Sequence, residues 1–324
     1  MKALICNAWG KPDTLVIGEM PSRAPDAGEL RIRVRACGIN FADTLMIQGQ
    51  YQFKPPFPFS PGIEMAGDVL EVGADVKLYK PGMRVMCIAN CGGMAEEITL
   101  PATMAVPMPD NMDYITGAAF PVAYGTSHIA LQHRAHVQPG ETLLVLGAAG
   151  GVGLTAVEIG KRMGARVIAC ASTEEKLELT RQYGADYTIN YTSEDLRERL
   201  KAITGGKGVD VAYDPVGGPL FEPVLRSMAW EGRLLVVGFA SGNIPQIATN
   251  LPLVKNCAVV GVFWGAYALN NPKVLTDSLR TLLGWYSLGH LKPHISQTYT
   301  LEQAPEAMWA LMRRQSLGKV VVTL

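Results

Sequence analysis

The stretch Leu143-Leu144-Val145-Leu146-Gly147-Ala148-Ala149-Gly150-Gly151-Val152-Gly153-Leu154 decides the fold. Four consecutive apolar residues read as a short strand buried on both faces, as in a parallel sheet. A glycine-rich turn follows, and Leu154 to Met163 continues as a helix with apolar residues at Leu154, Val157 and Ile159. A strand, a glycine turn and a helix N-terminus make a pyrophosphate site, because free backbone N–H groups and the positive end of the helix dipole face the anion. The G-x-G-x-x-G fingerprint runs here as Ala148-Ala149-Gly150-Gly151-Val152-Gly153, with Ala148 where the first glycine usually stands. Gly150 lets the backbone approach the phosphates, and Gly153 lets the helix pack close on the strand. A second strand, predicted at Arg166 to Ala171, supplies the context that a bare glycine pattern lacks.

Outward from this motif, residues from about 123 to 263 alternate strand and helix. Strands are predicted at 143–146, 166–171, 186–189, 209–213, 233–238 and 258–262, and helices at 124–135, 151–164, 174–184, 193–204, 219–229 and 251–256. Six strands in β-α alternation make a full doubly wound, dinucleotide-binding sheet. Residues 1–122 are β-rich instead, with short strands at Leu30 to Ala36, Met65 to Val72, Arg84 to Ala89 and Ala95 to Leu100. Turns such as Lys80-Pro81-Gly82 punctuate them, which indicates an antiparallel, barrel-like domain. The loop Lys54 to Pro61 holds four prolines and cannot sustain a ladder. Residues 264–324, with helices near 272–289 and 302–314 and a closing strand Lys319 to Leu324, are predicted to return to this first domain.

The charge balance narrows the function. Lys plus Arg and Asp plus Glu are equal at 29 each, which argues against a general nucleic-acid or anionic-membrane surface. No apolar run reaches transmembrane length, and the chain opens directly on a strand, Lys2 to Cys6, so a cytoplasmic protein is expected. Six cysteines in 324 residues are too sparse for a disulfide scaffold and sit mostly in apolar runs as buried thiols.

The second strand bears on the choice of nucleotide. An NAD site usually ends that strand on an acidic residue that holds the ribose 2′-hydroxyl. Here the sequence is Cys170-Ala171-Ser172-Thr173, and Glu174 and Glu175 fall in the first turn of a helix capped by Ser172 or Thr173. Hydroxyls followed by Lys176 suit a 2′-phosphate. The competing reading leaves Lys176 in solvent and turns Glu174 or Glu175 back onto an NAD ribose.

Six motifs together resemble one family: Gly38-Ile39-Asn40-Phe41-Ala42-Asp43, Pro61-Gly62-Ile63-Glu64-Met65-Ala66-Gly67, Ala123-Tyr124-Gly125-Thr126, the Ala148 to Gly153 turn, Tyr213-Asp214-Pro215-Val216-Gly217-Gly218, and Val236-Val237-Gly238-Phe239. They are similar to the zinc-independent NADPH:quinone oxidoreductase branch, the zeta-crystallin-like branch, of the medium-chain dehydrogenase/reductase superfamily. The resemblance covers essentially the whole chain. It implies an α/β fold, a Rossmann sheet plus a β-rich GroES-like catalytic domain, and NADPH as cofactor. It also implies reduction of quinones or related conjugated carbonyl acceptors by transfer from the nicotinamide C4. An enone or enoyl-thioester reductase is the alternative, and an NADPH-binding protein with a structural or sensing role is another. Zinc members of the superfamily carry a Cys ligand where this chain has Asn40 and a His ligand where it has Ile63. An amide and an alkyl group cannot make a tetrahedral zinc site. The structural zinc lobe needs four close cysteines, and only Cys87 and Cys91 lie in that half of the domain. His290 and His294 are spaced i, i+4, but Pro293 breaks the helix they would need, so they read as surface histidines.

By the same resemblance, Asn40 and Thr126 lie beside nicotinamide and acceptor, with Tyr51 nearby, either as proton donor or as a loop aromatic. Gly150, Gly151, Val152 and Gly153 take the pyrophosphate. Ser172, Lys176, Tyr191 and Arg314 take the 2′-phosphate, with Arg313 adjacent to the last. The segments Phe239 to Ser241 and Phe263-Trp264-Gly265 line the nicotinamide half, although Phe239, Phe263 and Trp264 equally suit core or dimer packing. Leu45, and Ile47 with Gln48, depart from the tyrosine and arginine of some quinone reductases, which touches acceptor specificity. A homodimer is expected through the apolar edge strand Val259 to Trp264.

Overall fold

Six parallel strands form one sheet in the spatial order Tyr187–Asn190, Arg166–Ala171, Thr142–Leu146, Val209–Asp214, Met228–Val236, Ala258–Gly261. This computed structural model describes all 324 residues, Met1–Leu324. The first of these six in chain order, Thr142–Leu146, is buried throughout and sits inside the sheet. The strand order reverses there, which is where ligands meet doubly wound sheets, at the carboxyl ends of the strands. Helices Gly151–Arg162, Glu174–Gln182 and Leu196–Thr204 make the crossovers. The predicted helix 124–135 is Pro121–His128 followed by a single π turn, Ile129–Arg134. The predicted helix 219–229 stops earlier, as Gly218–Leu220 and Phe221–Arg226, because the next strand already begins at Met228. Its early residues are interrupted by Glu231 at φ 59° and by a register shift, which hid them from a reading based on apolar runs.

The chain divides into two units, Met1–Val122 with Lys292–Leu324, and Ala123–Leu291. Residues 264–291, read from sequence with the first domain, thus pack with the parallel sheet. Helix Pro272–Ser287 is held there by a hydrogen bond between Ser278 Oγ and His128 Nδ1 at 2.8 Å, and by Arg162 stacked 4.7 Å above the Trp285 ring. Its buried face of Ser278, Leu279 and Leu282 has no counterpart in a simple β-α count.

In the first unit the long strand Glu29–Ile39 organises the sheet. Glu64–Val72 pairs along one side, while Glu97–Pro101 and Lys319–Thr323 share the other. Arg84–Ile88 extends the sheet from Glu64–Val72. The tail contributes two strands where one was predicted: Ile295–Thr300 pairs parallel with Lys319–Thr323. Its alternating, largely polar sequence carries no apolar run, as befits a strand with one neighbour. The core beneath includes Leu30, Ile32, Met46, Met65, Met94, Val320 and Val322. No helix is long and apolar enough to cross a membrane.

Candidate active site

In the second unit the glycine turn is built from backbone alone. Gly147 takes φ 56°, and the turn closes with Gly150 N donating to Gly147 O at 2.9 Å. The conformationally demanding position is therefore Gly147, one residue before Ala148, which explains why alanine is tolerated there. Ala148 is buried and its N–H donates to Cys170 O at 3.0 Å, tying the turn to the second strand. A Cβ on Gly153 would lie 2.1 Å from Gly147 O, so the close helix–strand approach requires glycine. Gly150 caps helix Gly151–Arg162, whose first amides, on Gly151, Val152 and Gly153, point out of its N-terminus.

Ser172, Lys176 and Tyr191, expected from the sequence at a 2′-phosphate, lie at or just after the ends of the neighbouring strands. Thr173, rather than Ser172, caps helix Glu174–Gln182, its hydroxyl accepting from Lys176 N at 3.3 Å. Glu174 is held by Arg181 at 2.6 Å, which opposes its turning back onto a ribose. Lys176 and Tyr191 are half-buried, Tyr191 N donates to Ala171 O at 3.3 Å, and Thr192 Oγ1 donates to Ser172 O at 3.2 Å. The structure thus brings Ser172 and Tyr191 to adjacent strand ends.

On the other side of the switch point, Asp214 Oδ1 accepts from Val216 N and Gly217 N, both at 2.8 Å, shaping the loop after its strand; burial raises this carboxyl. Ser241 N donates to Val216 O at 2.9 Å, and Phe239 packs where a Gly217 Cβ would stand. Trp264 is buried against Gly125, where a Cβ would come 2.6 Å from its Nε1, whereas Phe263 is exposed. The indole N–H of Trp264 is buried without a hydrogen-bond partner. Thr126 is buried, and its neighbour Ser127 bonds Val152 O at 2.8 Å, so the 121–128 helix is stitched to the start of the glycine helix.

The first unit holds a different construction. Asn40 precedes the helix Phe41–Ile47, and both its ends are engaged: Lys319 Nζ donates to Oδ1 at 2.8 Å, and Nδ2 donates to Glu64 Oε1 at 2.8 Å. Lys319 and Glu64 are themselves paired at 2.6 Å and buried. Asp43 lies behind them, accepting from Asn40 N at 2.8 Å and Gly62 N at 3.1 Å. Complete burial pushes Asp43 up to about 7, against the backbone hydrogen bonds and the Lys319 charge that pull it down. Burial, then the charge of Asp43, raises the Tyr51 phenol as well, keeping it protonated near neutrality. Glu64 and Asp43 stand inside motifs read from the sequence without a role assigned, and Lys319 was missed. Its one signal is a lysine opening an otherwise apolar strand, Lys319–Thr323. Ile47 is a fully buried core residue, and Gln48 Nε2 donates to Thr44 O at 2.6 Å. Arg313 stacks on Trp309 at 5.1 Å, and Arg314 takes φ 59° in the exposed turn that follows.

A parallel sheet with a glycine phosphate turn, in one chain with an antiparallel unit carrying a buried polar site, defines a nucleotide-dependent dehydrogenase or reductase. The family descriptions "Zinc-binding dehydrogenase" and "Alcohol dehydrogenase GroES-like domain" match residues 151–282 and 26–110. The chain is 42% identical to rat quinone oxidoreductase-like protein 2, over 100% of this chain and 92% of that one. The Escherichia coli quinone oxidoreductase solved in complex with NADPH superposes with a TM-score of 0.93 at 30% identity, covering 100% of both chains. The CurK enoyl reductase superposes with a TM-score of 0.90 at 26% identity, over 99% of this chain and 98% of that one. The chain belongs to the quinone oxidoreductase-like family of the medium-chain dehydrogenase/reductase superfamily, and it is an oxidoreductase.

Proposed function

We propose that this protein is an NADPH-dependent, zinc-independent reductase of quinones and related conjugated carbonyl compounds. The observation that carries the reading is the Asn40 site. At the position of a zinc-ligating cysteine in zinc members stands an amide whose oxygen accepts from the Lys319 ammonium, and the histidine position is Ile63. One alkyl group, one amide and a resident organic cation do not suit tetrahedral zinc. Without a Lewis acid to polarise an unactivated carbonyl, the acceptor must already be electrophilic, as a quinone or enone is.

The cofactor's chemistry, when it is bound, is to supply reducing equivalents from the nicotinamide C4. In the second unit Gly150, Gly151, Val152 and Gly153 would hold its pyrophosphate, and Ser172, Lys176 and Tyr191 would take the 2′-phosphate; Arg314 is a candidate for the same phosphate by family resemblance alone. Thr126, Phe239, Ser241, Phe263, Trp264 and Gly265 serve the nicotinamide half, and the partnerless Trp264 N–H is the donor there that a polar ligand would satisfy. In the first unit Asn40 orients the acceptor through its remaining hydrogen-bonding capacity, and the Tyr51 phenol, kept protonated by burial, is the candidate proton donor. NADPH in the related Escherichia coli structure supports the cofactor assignment.

Steady-state NADPH oxidation against a panel of a benzoquinone, a naphthoquinone, an enone, an enoyl thioester and a simple ketone tests the reading. Turnover with the quinones and none with the ketone is expected. Turnover confined to the enoyl thioester would move the protein to the second reading, which the departures at Leu45 and Gln48 and the likeness to an enoyl reductase favour. Binding of NADPH with no turnover would leave a sensing or structural role. The edge strand Ala258–Gly261 has one sheet neighbour, and we assign it to a two-fold partner copy. Sedimentation as a dimer at micromolar concentration is expected, and a monomer there would contradict it.

A further inference from the structure

An asparagine side chain offers two N–H donors and two lone pairs, and its two flips exchange them. At Asn40 the partners decide between the flips. An ammonium has no lone pair, so Lys319 can face only Oδ1; a carboxylate has no hydrogen, so Glu64 can face only Nδ2. The lock is itself saturated. All three Lys319 hydrogens are used, on Asn40 Oδ1 at 2.8 Å, Glu64 Oε1 at 2.6 Å and Ile39 O at 2.9 Å. The second carboxylate oxygen of Glu64 accepts from Val122 N at 2.9 Å. Strand register brings these groups together: Val320 pairs with Ile39, placing Lys319 beside Asn40, and Glu64 pairs with Gly38. A Cβ on Gly38 would reach 2.8 Å from Glu64 Oε1 and 2.2 Å from Ala118 O, so glycine leaves the room that the pair occupies.

We propose that Lys319 is a positioning residue for the reaction: paired with Glu64, it locks the Asn40 carboxamide in one flip and so fixes which hydrogen-bonding edge meets the acceptor. What remains for a ligand is one Oδ1 lone pair and the second Nδ2 hydrogen, whose other neighbour, Gly38 O, stands at a long 3.5 Å. The inference rests on the proposed role of Asn40 beside the acceptor.

A purely structural ion pair would give the same static picture, so the test removes the charge without leaving a lone buried ion. Removing one partner of a buried pair strands the other charge, whereas neutralising both is often tolerated. In Lys319→Met/Glu64→Gln the new glutamine can donate or accept, so both flips of Asn40 become allowed. The expected result is a melting temperature near that of wild type, a KM for NADPH within about threefold, and a kcat for quinone reduction lower by about a hundredfold, the scale of a misaligned contact. Wild-type kcat in a folded double variant would overturn the proposal. A second readout needs no turnover. With nitrogen-15-labelled asparagine, the Asn40 side-chain amide of the wild type, assigned by its loss in Asn40→Ser, is expected to give two resolved protons, the one bonded to Glu64 exchanging slowly with solvent. Fast exchange of that proton in wild type would overturn the lock whether or not the double variant folds. Failure of the wild type to reduce any quinone, with the protected amide intact, would sink the functional reading and leave the lock standing.

Discussion

The glycine turn of the second unit and the Asn40 site of the first make their polar surroundings in opposite ways. The turn is assembled from neighbours in the chain: Gly147, Gly150 and Gly153 lie within one strand–helix junction, closed by the backbone bond from Gly150 N to Gly147 O and by the absence of a Cβ at Gly153. Asn40 is held by partners 24 and 279 residues away, brought to it by two strand registers. A local motif fixes its geometry through short-range sterics and tolerates variation around it, as Ala148 shows. A site built across registers depends on side-chain charge and on every strand between its members.

The largest expected effect is on the local motif. Gly153→Ala puts a Cβ 2.1 Å from Gly147 O, a backbone atom that cannot move aside cheaply. Strain of about 3 kcal/mol at the turn converts to NADPH binding weakened by about a hundredfold, read by isothermal titration. Gly150→Ala sharpens the point, because its Cβ meets nothing closer than Gly147 O at 3.3 Å. It should keep the melting temperature and still lose affinity; unchanged NADPH binding would remove the turn from the pyrophosphate site.

Next in size is Lys176→Ala. A hydrogen bond to a charged group is worth about 1.5–3 kcal/mol, so NADPH affinity should fall about ten- to a hundredfold with NADH barely affected. An equal loss for both cofactors, or none for either, would favour the reading in which the 2′-phosphate plays no part. The tie between Glu174 and Arg181 engages one of the two acidic candidates for a ribose contact and leaves Glu175 to be tested by the same titration.

The smallest effect concerns the helix that sequence placed in the wrong unit. His128, buried against Ser278 and edge-on to Trp285, is pushed by burial from an ordinary 6.5 to about 4. The folded state therefore refuses a proton that the unfolded chain accepts between those values, and stability falls as pH drops through that window. From pH 7 to pH 5 the loss is about 2 kcal/mol by linkage, measured as a shift in urea midpoint. His128→Gln retains a hydrogen-bonding group and removes the titration, so it should lack that extra loss. Equal losses in both proteins would show that His128 is not the group responsible.

These differences also explain what was legible in the sequence. The parallel sheet showed itself because its inner strands, such as Thr142–Leu146 and Arg166–Ala171, are largely apolar and alternate with helices, whereas the residues proposed for the 2′-phosphate came from the hydroxyls and Lys176 after the second strand and, for Tyr191 and Arg314, from the family resemblance. Strand Ile295–Thr300 escaped because an edge strand needs no apolar run, and helix Pro272–Ser287 was assigned to the other unit because its partners, His128 and Arg162, lie more than a hundred residues back. Asn40 stood out as a replaced ligand. Lys319 did not, because its meaning depends on a register that one strand's composition cannot specify.

The central claim, that an organic cation rather than a metal stands at the Asn40 site of a working reductase, is tested most directly by assaying one preparation before and after dialysis against a strong chelator. Zinc content and NADPH-dependent quinone reduction are measured on the same samples. The account predicts zinc far below one equivalent per chain and an unchanged rate after chelation. One zinc per chain, with activity lost on chelation and restored by added zinc, would contradict it.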